Sequence, residues 1–174
     1  MARLSVAGAI VCCASLLWTS GSFAQDLGGR GNRPIEGGPV DIPRLTQRAD
    51  LVVHGFVTAM RSEWIGRVIY TLYDVSVQDT LKGASRSTVV VAVPGGARGN
   101  VRLRVPGAPD LQSGEQVVFF VTPLQGTTFT PVGTFDGIVR VRQGIGRSAA
   151  TVAPRGRPES LDAFLDEVRT LGGR

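Results

Sequence analysis

Residues 101–122 read VRLRVPGAPDLQSGEQVVFFVT. Val101 to Val105 alternates in the manner of a strand, Pro106-Gly107-Ala108-Pro109 turns the chain, and Ser113-Gly114 turns it again. Val117, Val118, Phe119, Phe120 and Val121 then follow without a polar side chain. A strand with no polar face needs cover on both faces. This run is therefore expected to be the central strand of the core, and the rest of the chain is read outward from it.

Toward the N-terminus, a strand is expected from Leu51 to Met60, with Gly55 marking a bulge or tight bend. Arg61 to Arg67 reads as a loop containing Trp64 and Gly66. A long strand follows from Val68 to about Leu81, with Tyr73, Val75 and Val77 inward, stopped by Lys82-Gly83. Ser87 to Val93 is a β-branched strand ended by Pro94-Gly95-Gly96. A short helix ahead of all this runs from about Asp41 through Arg48, with Pro43 in its first turn and Asp50 ending it. Toward the C-terminus, strands are expected at Phe129 to Val132 and Gly137 to Arg142, then a loop over 143–157. In Pro158 to Leu171 the residues Leu161, Phe164, Leu165, Val168 and Leu171 fall at helical spacing, with Glu159 and Asp162 near the start, Arg169 near the end and Gly172 as the stop. Short strands at turn-bounded intervals with one terminal amphipathic helix predict an all-β domain over 41–142. Its expected form is an OB-like, partly open antiparallel barrel of six to seven strands with helix 158–171 packed on it.

Arg3, an apolar stretch from about Leu4 to Trp18 and the small residues up to Ser22-Phe23-Ala24 read as a signal peptide over 1–24, cleaved after Ala24. The expected location is secreted or periplasmic, with no membrane span after signal removal. Both cysteines, Cys12 and Cys13, leave with it, so the exported chain would carry no disulfide, no cysteine-ligated zinc and no thiol nucleophile. Residues 25–40 are rich in glycine and proline and poor in large apolar groups. They read as a flexible linker, since such a segment buries too little surface to offset its ordering entropy. The chain carries 19 basic against 14 acidic residues, with Lys82 its single lysine. Arg98, Arg102, Arg104, Arg140, Arg142 and Arg147 are spread over strands and loops, which reads as a solvated basic face rather than a nucleic-acid surface.

The Ala49-Asp50-Leu51-Val52-Val53-His54-Gly55 strand, the long strand ending Leu81-Lys82-Gly83 and the core strand opened by Gly114-Glu115 together resemble netrin-like domains, the OB-type barrels of tissue inhibitors of metalloproteinases. With Val93-Pro94-Gly95-Gly96 and Pro106-Gly107-Ala108-Pro109, the chain is similar to a family of uncharacterised secreted bacterial proteins. The likeness covers about residues 49–142 and implies a fold and, through the inhibitors, a hydrolase-directed role. The departure is that netrin-like inhibitors chelate a target zinc through an N-terminal cysteine, which no residue of the expected mature chain supplies.

His54 is the only histidine, which excludes multi-histidine zinc sites and leaves one imidazole as a base. No Gly-x-Ser-x-Gly elbow accompanies it, so a hydrolase using His54 ranks last. Asp110 and Glu115 read as turn residues rather than a catalytic carboxylate pair. Trp64, with Arg61 and Arg67 beside it and Phe56 and Tyr70 near, has the residue types that dominate interface energetics. The leading expectation is a non-catalytic secreted or envelope binding module with a protein or glycan partner and no cofactor or metal. Its determinants would be Arg61, Trp64, Arg67 and Asp110, in the loops 61–67 and 106–114, because loops on a rigid barrel carry recognition. Inhibition of an extracellular hydrolase is the alternative.

Overall fold

In the computed structural model, residues 40–144, 150–154 and 156–173 are described. The expected signal peptide and all of the expected linker except Val40 lie outside them.

α1 (Ile42–Arg48) starts at Asp41, whose side chain accepts from the Arg44 amide at 3.2 Å, and ends at Ala49, one residue before the expected Asp50. β1 (Leu51–Ile65) and β2 (Val68–Lys82) are then 15 residues each. The loop expected over 61–67 is instead strand. Arg61 to Ile65 pair directly with Leu72 to Val68, and only Gly66 and Arg67 turn. Gly66, at φ 63°, supplies the first central position of a two-residue hairpin turn, where a left-handed backbone is required. β3 (Thr88–Pro94) pairs with β2, and a small separate hairpin follows, β4 (Gly96–Arg98) with β5 (Val101–Leu103). β6 (Gln116–Gln125), β7 (Thr128–Pro131) and β8 (Ile138–Arg142) complete the long strands, and β9 (Thr151–Val152) and β10 (Glu159–Ser160) extend the sheet. α2 (Leu161–Gly172) ends the described chain.

The sheet curls on itself. β1 pairs along one edge with β2 and, over Leu51 to Phe56, along the other with β6, so pairings run β1-β2-β3-β7-β6 and back to β1. That is the order of a five-stranded, partly open barrel of OB type. The closing contact, β3 with β7, is two residue pairs long, Val90 with Thr128 and Val91 with Phe129, and it is parallel. The barrel is thus antiparallel except at this seam. Closure depends on Gly55, where the register slips and where a Cβ would lie 2.2 Å from the Ser76 carbonyl oxygen. A glycine at the strand coil was expected, and close backbone approach explains it.

The two faces of β6 belong to two cores. Val117, Phe119 and Val121 face the barrel interior with Val53, Val57, Tyr73, Val75 and Val91. Val118 and Phe120 face outward and pack with Ile42 and Leu45 of α1 and Leu161, Phe164, Leu165 and Val168 of α2. Phe120 and Phe164 meet edge to face, with centroids 6.5 Å apart. The expected double cover of this strand is realised, and both helices are part of it.

Among the described residues ten strands form where six to seven were expected, because β4, β9 and β10 are two or three residues long and show no periodicity of their own, while β5 falls within the strand expected over Val101 to Val105. The loop expected over 143–157 contains β9, although residues 145–149 and 155 lie outside the described chain. The terminal helix starts at Leu161 rather than Pro158. Glu159 and Ser160 first pair with β9, and the Ser160 hydroxyl then accepts from the Ala163 amide at 3.2 Å as N-cap.

Leu81-Lys82-Gly83 acquires a physical account. Leu81 is buried in the outer core, and the Lys82 Nζ donates to the carbonyls of Thr46 and Ala49 at 2.7 Å each and of Gln47 at 3.3 Å. It closes the C-terminal end of α1, where unsatisfied carbonyls and the helix dipole favour a cation. A Cβ on Gly83 would stand 2.6 Å from the Asp50 carbonyl oxygen, at φ 88°, so the position is built for glycine.

Candidate functional site

The β1–β2 hairpin runs on to a two-residue tip, and the small β4–β5 hairpin packs against it. Two glycines allow this. Gly95 and Gly96 have φ of 121° and 127°, and a Cβ on Gly96 would lie 2.5 Å from the Ser62 Oγ and 2.8 Å from the Thr71 Oγ1. The Ala97 amide then donates to the Ser62 Oγ at 3.3 Å.

Alternation along β1 sorts the candidate residues by face. Met60, Ser62 and Trp64 share the face that β4 meets at Ser62, while Arg61 and Glu63 share the opposite one. Trp64 is 49% exposed, and Met60 and Val68 are exposed with it. Its cross-strand partner Ile69 is buried. Arg61 is not a free cation: its guanidinium donates to both oxygens of Asp74 at 2.8 and 2.7 Å and to Glu63 at 2.9 Å. These acids raise its pKa above the ordinary arginine value, Asp74 contributing most. Arg67 sits exposed in the turn.

Asp110 lies on a separate segment, the connection from β5 to β6, and lines a groove of about 390 Å³ between that connection and the end of β3. Its carboxylate accepts from the Gln112 amide at 3.2 Å, and its carbonyl accepts from Arg140. Tyr73, Gly95, Arg102 and Arg104 line the same groove. The Tyr73 hydroxyl donates to the Pro109 carbonyl at 3.3 Å, and burial pushes its pKa above the ordinary phenol value. Arg102 and Arg104 were read as part of a dispersed basic face. Their two-residue spacing in Val101-Arg102-Leu103-Arg104-Val105 was the available signal, since it puts both on one side of an extended segment.

His54 was expected on a strand face, and that face is covered: the residue is 5% exposed. The Gln116 amide nitrogen donates to Nε2 at 2.6 Å, so the proton sits on Nδ1 and is donated to Asp79 at 2.9 Å. Asp79 also takes Arg169 of α2 at 3.1 Å, and Gln116 accepts from Gln143. A general base needs a free nitrogen lone pair beside a reacting group. Here that lone pair is held by an amide, and the chain of bonds ties β1, β2, β6 and α2 together. Glu115 pairs with Arg140 at 3.7 Å, and the same guanidinium donates to the Asp110 backbone carbonyl, so what joins the two segments is an arginine bridge. Among the described residues, no three of His, Cys, Asp and Glu gather as metal ligands would. No helix among them is long and apolar enough to cross a membrane.

No protein-family model matches the chain, and no curated protein matches it either.

Proposed function

We propose that this protein is a non-catalytic binding module acting outside the cytoplasm, which presents the hairpin pair around Trp64 to a protein or glycan partner. The observation that carries this reading is the half-exposed Trp64 on a strand fixed by direct pairing to β2 and by the β4 contact at Ser62. Large exposed aromatics on rigid elements lose little conformational entropy on binding and recur at interface hot spots. The netrin-like resemblance is compatible with the OB-type strand order.

The test is Trp64→Ala. With the side chain already half in water, the melting temperature should stay nearly constant, while partner retention from an envelope or culture extract weakens by ~2 kcal/mol or more. A stability loss of ~3 kcal/mol, the size expected for truncating a buried tryptophan, would remove Trp64 from the binding surface.

A further inference from the structure

We infer that the groove between the end of β3 and the β5–β6 connection binds a carboxylate-bearing polysaccharide, with Arg102 and Arg104 as its anion-binding residues. The inference rests on the binding reading above and gives the partner its chemistry. Arg102 and Arg104 line one groove of about 390 Å³, large enough for a sugar unit or two. Neither has an acidic partner among the described residues, whereas Arg61, Arg140 and Arg169 all do. Arg67 and Arg98, on the two neighbouring hairpin tips, are likewise without one. These four arginines, unlike Arg61 on the same hairpin as Arg67, are therefore available to an outside anion.

Residue types beside them favour a sugar acid over a simple polyanion. Guanidinium groups take carboxylates through two parallel hydrogen bonds. The same groove also holds Asp110, an exposed acceptor that would repel a bare carboxylate but accepts from hydroxyls. Donors for carboxylates and acceptors for hydroxyls in one groove match a uronic acid unit. Trp64, on the β1–β2 hairpin against which β4 packs, offers an exposed aromatic face for a ring further along the chain.

The experiment uses the full exported chain and three probes: polygalacturonate, its fully methyl-esterified form and poly-L-glutamate, followed by calorimetry. Polygalacturonate should bind, the ester should bind at least tenfold more weakly, and added salt should weaken binding. Arg102→Ala with Arg104→Ala should lower polygalacturonate affinity at least tenfold at unchanged melting temperature, while Arg48→Ala on α1, equal in charge to one of these changes, should not. Asp110→Ala separates the partner classes. It removes both a like charge, which acts on the two polyanions alike, and the acceptor oxygens, which only hydroxyls use, so the affinity ratio of polygalacturonate to poly-L-glutamate should fall. Equal or tighter binding of poly-L-glutamate by the wild type identifies an acidic peptide and overturns the inference, as does binding indifferent to Arg102 and Arg104. No polygalacturonate binding also overturns it. The binding reading itself falls only when Trp64→Ala leaves extract retention unchanged as well.

Discussion

Lys82 is the one lysine of the chain, and its ammonium satisfies three backbone carbonyls at the end of α1. Hydrogen bonds from a charged donor contribute more than neutral ones, so Lys82→Met should lower stability by ~1.5–3 kcal/mol in chemical denaturation. An unchanged midpoint would show that water replaces the clasp. Tyr73 makes a second prediction, about pH. Burial favours its neutral form, so the folded pKa lies above the unfolded value of about 10. Its contribution is fully present below that value and is lost as pH rises through the raised one. Wild type should therefore lose melting temperature more steeply than Tyr73→Phe above about pH 10, and the two should run parallel at pH 7–9. At this scale the sequence showed which residues matter more often than what they touch. Trp64 was legible as an interface type, but Arg61 was not legible as neutralised, because its partner Asp74 is brought across only by the hairpin register. His54 was legible as a strand residue, while Asp79 and Gln116 reach it from strands 25 and 62 residues away.

Elements were legible where a long apolar pattern specified them. Val117 to Val121 gave the central strand and its double cover, and the stripe from Leu161 to Val168 gave α2. The shortest strands carry no periodicity, so β4, β9 and β10 could not be read, nor could the strand character of 61–65, where charged residues and a tryptophan mask the alternation; β5 was legible only as part of the alternation over Val101 to Val105. What fixes those elements is glycine geometry and pairing. Gly55 tests this: a Cβ there meets the backbone of Ser76, which cannot swing away as a side chain would. Gly55→Ala should cost ~1–3 kcal/mol, the range for forced overpacking, and should broaden the amide signals of both β1 and β2. Retained stability would mean that the bulge, and not close approach, selects glycine here.

Considered whole, the molecule is a barrel whose wall is shared by two cores. β1 and β6 present Val53, Val117 and Phe119 to the interior and Val52, Val118 and Phe120 to the helices. The expectation that a terminal helix packs on the barrel was correct, but its consequence was not visible in sequence: α2 is not an accessory laid on a finished domain. It buries the outer face of the same strands that close the ring. Phe164, fully buried against Phe120, is the pivot of that layer. Phe164→Ala should destabilise by ~3–5 kcal/mol. Marginal domains have only ~5–15 kcal/mol in total, so a larger loss is expected to unfold the chain. A chain ending at Ser160 should accordingly fail to give a dispersed spectrum, because Val118, Phe120, Val139 and Val152 would form one contiguous exposed apolar face. The inner core predicts which alternative would contradict this. If the barrel folded independently of its helical layer, the truncated chain would keep a cooperative unfolding transition, and the protection of β1 and β6 amides would survive the loss of α2.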